Sequence, residues 1–321
     1  MIKTILVAAL TAAFTVQAQT VKIDGSSTVY PVTEGVAEDF QKKERIKVTV
    51  GISGTGGGFK KFCRNEIDVQ NASRPILQSE IEDCKKAGIE FYELPIAFDA
   101  LTVVVNPKND FVKQLTVAEL RKMWEPAAQG KITNWNQINP SFPNRQLKLF
   151  GAGSDSGTFD YFTEAINGKS KASRGDFTAS EDDNVLVQGV ASDIGAIGYF
   201  GYAYYAENTR RVKAVSIVNQ AGQAVIPSEA SVMDGSYNPL SRPIFIYVNA
   251  KSIDKPEVSK FVTYYMDAAT TIAKEVKYVP LPKAAYEANK RHIVNKRVGT
   301  VFGGKNEVGM TVEDLIKREV K

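Results

Sequence analysis

The stretch Gly151-Ala152-Gly153-Ser154-Asp155-Ser156-Gly157-Thr158-Phe159 follows an apolar alternation, Leu147 and Leu149, and precedes Phe159, Phe162 and Ile166 at helical spacing. It reads as a strand, a small-residue turn and a helix start. Such a turn leaves the first backbone N–H groups of the helix unpaired, with the positive end of the helix dipole behind them. Hydroxyls at Ser154, Ser156 and Thr158 make it a ready anion site. Two turns of the same kind lie upstream. Asp24-Gly25-Ser26-Ser27-Thr28 follows Val21 and Ile23, and Ser53-Gly54-Thr55-Gly56-Gly57-Gly58 follows Val48, Val50 and Ile52. One such turn alone is explained by helix capping. Capping needs one hydroxyl, however, and these turns supply several. Together they point to one oxyanion held by several amides and hydroxyls. None matches the Walker pattern or a dinucleotide fingerprint with its acidic residue.

At the start of the chain, Met1-Ile2-Lys3 is a short basic region and Thr4 to Val16 is apolar and small. Val16-Gln17-Ala18 fits a small-x-small cleavage site. Residues 1–18 therefore read as a signal peptide, with the mature chain starting near Gln19 and exported to the periplasm. The apolar run is too short to span a bilayer. Losing Lys3 takes the formal charge of the chain from +4 to +3. A balance that near neutral argues against nucleic acid as the main partner.

The two cysteines, Cys63 and Cys84, are expected to bridge in an oxidising compartment. Two thiols and one distant histidine cannot furnish a soft metal site, and no cofactor is expected. His292 sits among Lys290, Arg291, Lys296 and Arg297 and reads as part of a solvated basic face. That single histidine also counts against a serine triad.

Strand and helix signals alternate along the chain, which predicts α/β layers. Ala100–Asn106 is a continuous apolar run closed by Asn106-Pro107, a buried strand. Pro243–Asn249 is a second apolar strand, and Pro256–Val276 is the longest helix. Residues 125–146 and 222–238 read as loops, and 277–321 as a basic tail with a last helix near Val312–Val320. Trp135 and the tyrosines Tyr202, Tyr204 and Tyr205 read as packing groups rather than stacking platforms for an organic ligand.

Six motifs in order carry a resemblance over essentially the whole mature chain. They are Asp24-Gly-Ser-Ser-Thr, Ser53-Gly-Thr-Gly-Gly-Gly, Asn71-Ala-Ser-Arg-Pro-Ile, Leu94-Pro-Ile-Ala-Phe-Asp with Val103-Val-Val-Asn-Pro, Gly130-Lys-Ile-Thr-Asn-Trp, and Ser154-Asp-Ser-Gly-Thr-Phe. The sequence resembles the phosphate-binding proteins that feed bacterial phosphate ABC importers, the PstS type. The resemblance implies a type II periplasmic-binding-protein fold, with two α/β lobes joined by two crossing strands and one dehydrated phosphate in the cleft. The crossings are expected near Asp99–Asn106 and Pro243–Val248. Lobe 1 is then 19–100 plus 247–321, and lobe 2 is 101–246. The resemblance further implies capture rather than catalysis, by a monomer that delivers phosphate to membrane permease subunits.

Carried over residue by residue, Ser27 and Thr28, then Ser53 and Thr55, are the implied contacts of the first lobe. Ser156, Gly157 and Thr158 are those of the second. The chain departs from many relatives in having Arg74 where an acid stands and Ala152 where an arginine stands. Phosphate at neutral pH carries a proton and sulfate does not, so a phosphate pocket needs an acceptor as well as donors. A buried acceptor facing a fully deprotonated anion would set charge against charge with no hydrogen bond between them. Arg74 is expected to make a charge-assisted contact and Asp155 to accept the proton. The alternatives are an interlobe salt bridge for Arg74 and a helix cap outside the cleft for Asp155. Two other functions stand beside phosphate capture. One is a same-fold receptor for sulfate, molybdate or arsenate. The other is a phosphoryl-transfer enzyme using Ser154 or Ser156, which lacks any cluster of His, Asp and Glu with metal spacing. The basic run Lys290–Lys305 also allows, without indicating, a role at the cell surface.

Overall fold

The computed structural model describes residues 19–319; the expected signal peptide, 1–18, lies outside the described residues. Two main sheets organise the chain. The first has six strands in the order Val279–Pro280, Phe91–Ala100, Ser241–Asn249, Val69–Ala72, Thr20–Gly25 and Lys47–Val50. The second has five, in the order Lys213–Ala214, Thr102–Val105, Ala196–Phe200, Lys148–Ala152 and Thr178–Ser180. A small third sheet joins Ala224–Val225, Ser216–Val218 and Gln114–Thr116.

The chain passes from the first sheet to the second through Phe91–Ala100 and Thr102–Val105, which are buried throughout. It returns through Ser241–Asn249, which pairs antiparallel with Phe91–Ala100 from Ser241↔Ala100 to Asn249↔Phe91. These are the two crossings of a type II periplasmic-binding-protein fold. The return strand lies in the first sheet from Ser241 onward, earlier than residue 247, where the first lobe was expected to resume.

Within each lobe the strands that carry the polar turns are parallel. Thr20–Gly25 pairs parallel with Lys47–Val50 and Val69–Ala72. Lys148–Ala152 pairs parallel with Ala196–Phe200 and Thr178–Ser180. Parallel strands aim their carboxyl ends the same way, and in open α/β sheets that edge is where ligands sit.

Helix Tyr30–Glu44 starts with Pro31 in its first turn and buries Val32, Val36, Ala37 and Phe40. Phe40 meets Phe261 of the long helix Pro256–Glu275 edge-on, with centroids 5.3 Å apart. The disulfide Cys63–Cys84 joins helix Gly54–Cys63 to helix Gln78–Lys86. In the second lobe Trp124 meets Phe162, Phe177 and Tyr199 edge-on, and Phe162 stacks on Tyr199. Trp135 is buried and donates its indole N–H to the Gly195 carbonyl at 2.9 Å.

Both stretches read as loops hold short helices, Trp135–Ile138 in the first and Glu229–Met233 in the second. The expected basic tail contains a three-turn helix, Lys283–Val294, that buries Ala285, Tyr286, Ala288, Asn289 and His292. Those positions share one helical face, and the lysines and arginines between them mask it. His292 is therefore buried rather than solvated, with Arg297 Nη1 3.2 Å from its Nε2.

Beyond this helix the chain touches both lobes. Gly304 accepts a hydrogen bond from the Gln78 amide at 2.9 Å, in the first lobe. Asn306 reaches Glu164 at 2.8 Å, and the Gly309 amide donates to the Tyr161 hydroxyl at 3.1 Å, both on the second-lobe helix Gly157–Asn167. Residues 305–309 thus lie against the lobe opposite to the one expected.

Candidate functional site

The polar turns meet where the lobes face each other. Thr28 ends the turn after strand Thr20–Gly25, and Thr158 stands in the first turn of helix Gly157–Asn167. Their hydroxyls lie 2.9 Å apart, both fully buried. Ser156 caps that helix by accepting from the Thr158 amide at 3.1 Å. Thr55, in the first turn of helix Gly54–Cys63, accepts from the Ser73 amide at 3.1 Å and stands 3.2 Å from the Ser73 hydroxyl. Gly157 lies directly over this pair: a Cβ there would be 2.5 Å from Thr55 Oγ1 and 2.7 Å from Ser73 Oγ. A side chain at 157 would hold the lobes apart. The Gly56 amide also donates to the Asp155 carbonyl at 2.7 Å, another bond across the cleft.

Ser27, Thr28, Thr55, Ser156, Gly157 and Thr158 are thus brought together. Ser53, Arg74 and Asp155 are placed differently from expectation. The Ser53 hydroxyl turns back within its own lobe to the Asp24 carboxylate, which also holds Lys61. The Asp155 side chain is 40 % exposed and pairs with Lys60 across the lip of the cleft, so its carboxylate faces solvent and a cation rather than a buried anion. Ser154 is exposed.

Arg74 is buried and bridges the lobes. Its Nε donates to Asp160 at 2.7 Å, and both Nη atoms donate to Glu80 at 2.8 Å. Nη1 also reaches the Pro75 carbonyl. Four donations fill most of the five N–H groups of a guanidinium. Burial works against this charge, but Glu80 and then Asp160 outweigh it and hold the group above its ordinary range. Asp160 is pushed up by burial and pulled back by Arg74 and Lys171.

The cation that reaches the threonines is Arg242, on the return crossing strand. Its Nη2 donates to Thr158 Oγ1 at 2.8 Å and to Thr28 Oγ1 at 3.4 Å, and Nη1 donates to the Gly157 carbonyl at 3.2 Å. Its cross-strand register partner is Asp99, which accepts from Nη2 at 3.0 Å and from Nε at 3.2 Å. Burial raises the Asp99 carboxyl above the usual range, and Arg242 opposes the rise. Neither residue featured among the expected contacts. The signal was present: each is a charge inside an otherwise apolar stretch, and a charge there must be paired. Asp183 was also missed. It opens helix Asp183–Ser192 at the carboxyl end of strand Thr178–Ser180 and is buried. Among the described residues no group of three or more His, Cys, Asp or Glu is placed to hold a metal ion.

A family model described as the PBP superfamily domain matches residues 11–269. Protein SphX of Synechococcus elongatus is 53% identical over 300 residues, covering 93% of this chain and 88% of that protein. The phosphate-binding protein PstS of Staphylococcus saprophyticus is 38% identical over 270 residues, covering 83% of this chain and 82% of that protein. The crystal structure of a possible phosphate-binding protein from Planctomyces limnophilus superposes with a TM-score of 0.63 at 47% identity, covering 87% of this chain and 98% of that one. With matches of this extent arriving on a type II fold whose helix starts converge in the cleft, the chain belongs to the PBP superfamily and, within it, to the PstS-type phosphate-binding proteins.

Proposed function

We propose that this protein binds inorganic phosphate between its lobes in the periplasm, after loss of residues 1–18, and as a monomer delivers it to the permease of an ABC importer. The observation that carries this reading is the approach of Thr28 and Thr158 from opposite lobes, with the Arg242 guanidinium on both hydroxyls. Helix starts supply amides and a favourable dipole field, the hydroxyls supply directional donors, and Arg242 supplies charge. Contacts from both lobes are what let a ligand favour the closed form, because a ligand shifts an equilibrium only by binding one state more tightly.

The contact set proposed is Ser27, Thr28, Thr55, Ser156, Gly157 and Thr158, joined by Ser73 and Arg242. Arg74 acts one step back, tying Asp160 of the phosphate-facing helix to Glu80 of the first lobe. Capture without chemistry accords with the relatives, which are named as phosphate-binding proteins. The test is ion analysis of the natively purified mature protein, followed by calorimetry after stripping, with sulfate and arsenate as competitors. One phosphate per chain is expected, and a purified protein that binds no phosphate overturns the reading. Tighter binding of sulfate or molybdate would make it a same-fold receptor for that anion.

A further inference from the structure

Resting on the phosphate reading above, we propose that Asp155 and Lys60 form a latch across the lip of the cleft that slows phosphate release without touching the anion. The first-lobe helix Gly54–Cys63 begins without a side-chain cap, because the Ser53 hydroxyl is turned to the Asp24 carboxylate. The first amides of a helix have no partner within it. One of them, that of Gly56, donates instead to the Asp155 carbonyl of the second lobe at 2.7 Å. The carboxylate of the same residue accepts from Lys60 Nζ at 2.9 and 3.1 Å, and Lys60 stands one turn beyond Gly56. Backbone and side chain of Asp155 thus grip one helix from across the gap.

Glycines make room for this grip. A Cβ at Gly54, whose φ is +73°, would be 2.6 Å from the Asp155 carbonyl oxygen, and one at Gly56 would be 3.4 Å from it. On its own side Asp155 is steadied by Glu181, whose Oε1 accepts from the Asp155 amide at 3.0 Å. Ser156 caps helix Gly157–Asn167, so Asp155 is free of that task. The bonds to Gly56 and Lys60 join opposite lobes, so opening the cleft breaks both. An interaction made only in the closed form stabilises that form alone, and the ligand escapes more slowly. The sign of the effect separates a latch from ordinary surface charge. As free charges near an anion site, Lys60 attracts phosphate and Asp155 repels it, so their removal would act in opposite senses. As a latch, both removals act in the same sense: each frees the lip, and phosphate leaves faster.

The experiment is stopped-flow release of phosphate from the whole mature protein, with calorimetry for affinity, on the wild type, Lys60→Met, Asp155→Ala and the double variant. It is run at about 0.15 M salt, where long-range steering is largely screened. A partly exposed ion pair is worth a few-fold in an equilibrium constant, so each single variant should release phosphate about two- to fivefold faster, with affinity falling by the same factor. The double variant should release no faster than the singles, because either substitution alone already breaks the pair. Slower release from Asp155→Ala overturns the latch, as does a wild-type rate in either single variant. Single effects that multiply in the double variant overturn it too. A wild type that binds no phosphate by calorimetry strikes the parent reading and removes the latch's ligand with it. Normal wild-type binding with unaltered release in the variants strikes the latch alone, so the two failures are told apart.

Discussion

Thr28 and Thr158 lie 130 residues apart in sequence, yet their hydroxyls are 2.9 Å from each other with Arg242 Nη2 on both. Each follows a strand of a different sheet, so the pair registers how the two halves of the molecule stand. A hydrogen bond to a charged ligand contributes about 1.5–3 kcal/mol. Thr158→Val should therefore weaken phosphate binding roughly ten- to a hundredfold by calorimetry, with a melting temperature close to wild type. An unchanged affinity would take the Thr158 hydroxyl off the ligand.

Arg242 and Asp99 are both almost fully buried and face each other across two crossing strands. Removing one member of such a pair strands the other charge, at about 3–5 kcal/mol. Arg242→Met should lower unfolding stability by that amount. Combining it with Asp99→Asn should restore much of the loss, since the stranded carboxylate is gone. Phosphate binding should be lost in both variants. Binding that returns in the double variant would place the anion's countercharge elsewhere.

Arg74 was expected on the ligand and instead joins Asp160 to Glu80. Arg74→Ala leaves two carboxylates close together, one of them wholly buried. Its first effect should be on folding, again about 3–5 kcal/mol by denaturant titration. A stability within error of wild type, together with a large loss of phosphate affinity, would return Arg74 to direct contact.

Glu93 sits in the first crossing strand and accepts from the Tyr247 hydroxyl at 2.7 Å and the Val301 amide at 2.9 Å. Burial pushes its carboxyl from 4.5 up to about 7, against the pull of these hydrogen bonds. The folded protein therefore holds a proton on Glu93 that the unfolded chain releases between these values. Glu93 favours folding most below pH 4.5, loses that contribution as pH rises toward 7, and adds no further slope above it. Subtracting the stability–pH curve of Glu93→Gln from that of the wild type should isolate this fall. A flat difference across the window would show that Glu93 titrates normally.

The parallel strands and the turns after them were legible because their signals are local. Val21 and Ile23, or Leu147 and Leu149, alternate; the glycines and hydroxyls that follow do not. Thr28, Thr55 and Thr158 could be picked out for the same reason. The partners of a charge are not local. Asp99 and Arg242 meet only because two strands distant in sequence pair in one register, and nothing near either residue announces the other. Arg74 and Asp155 were misplaced in the same way: each stands in a polar turn, but the Asp160 that meets Arg74 lies 86 residues away in sequence and the Lys60 that meets Asp155 lies 95 away. The helix Lys283–Val294 was hidden by its charged outer face, which reads as a solvated tail until its buried side is seen.

The end of the chain is held at Gly304 by Gln78 and at Gly309 by Tyr161, one anchor on each half. Fully stretched, the short length between those anchors reaches only about 18 Å. It works as a leash beside the two covalent crossings: small swings of the halves leave it slack, and wide ones must unfasten an end. How far the halves can part is thus tied to a handful of residues remote from the cleft turns, held by Gln78 and Asn238 and, on the second-lobe helix, by Tyr161 and Glu164.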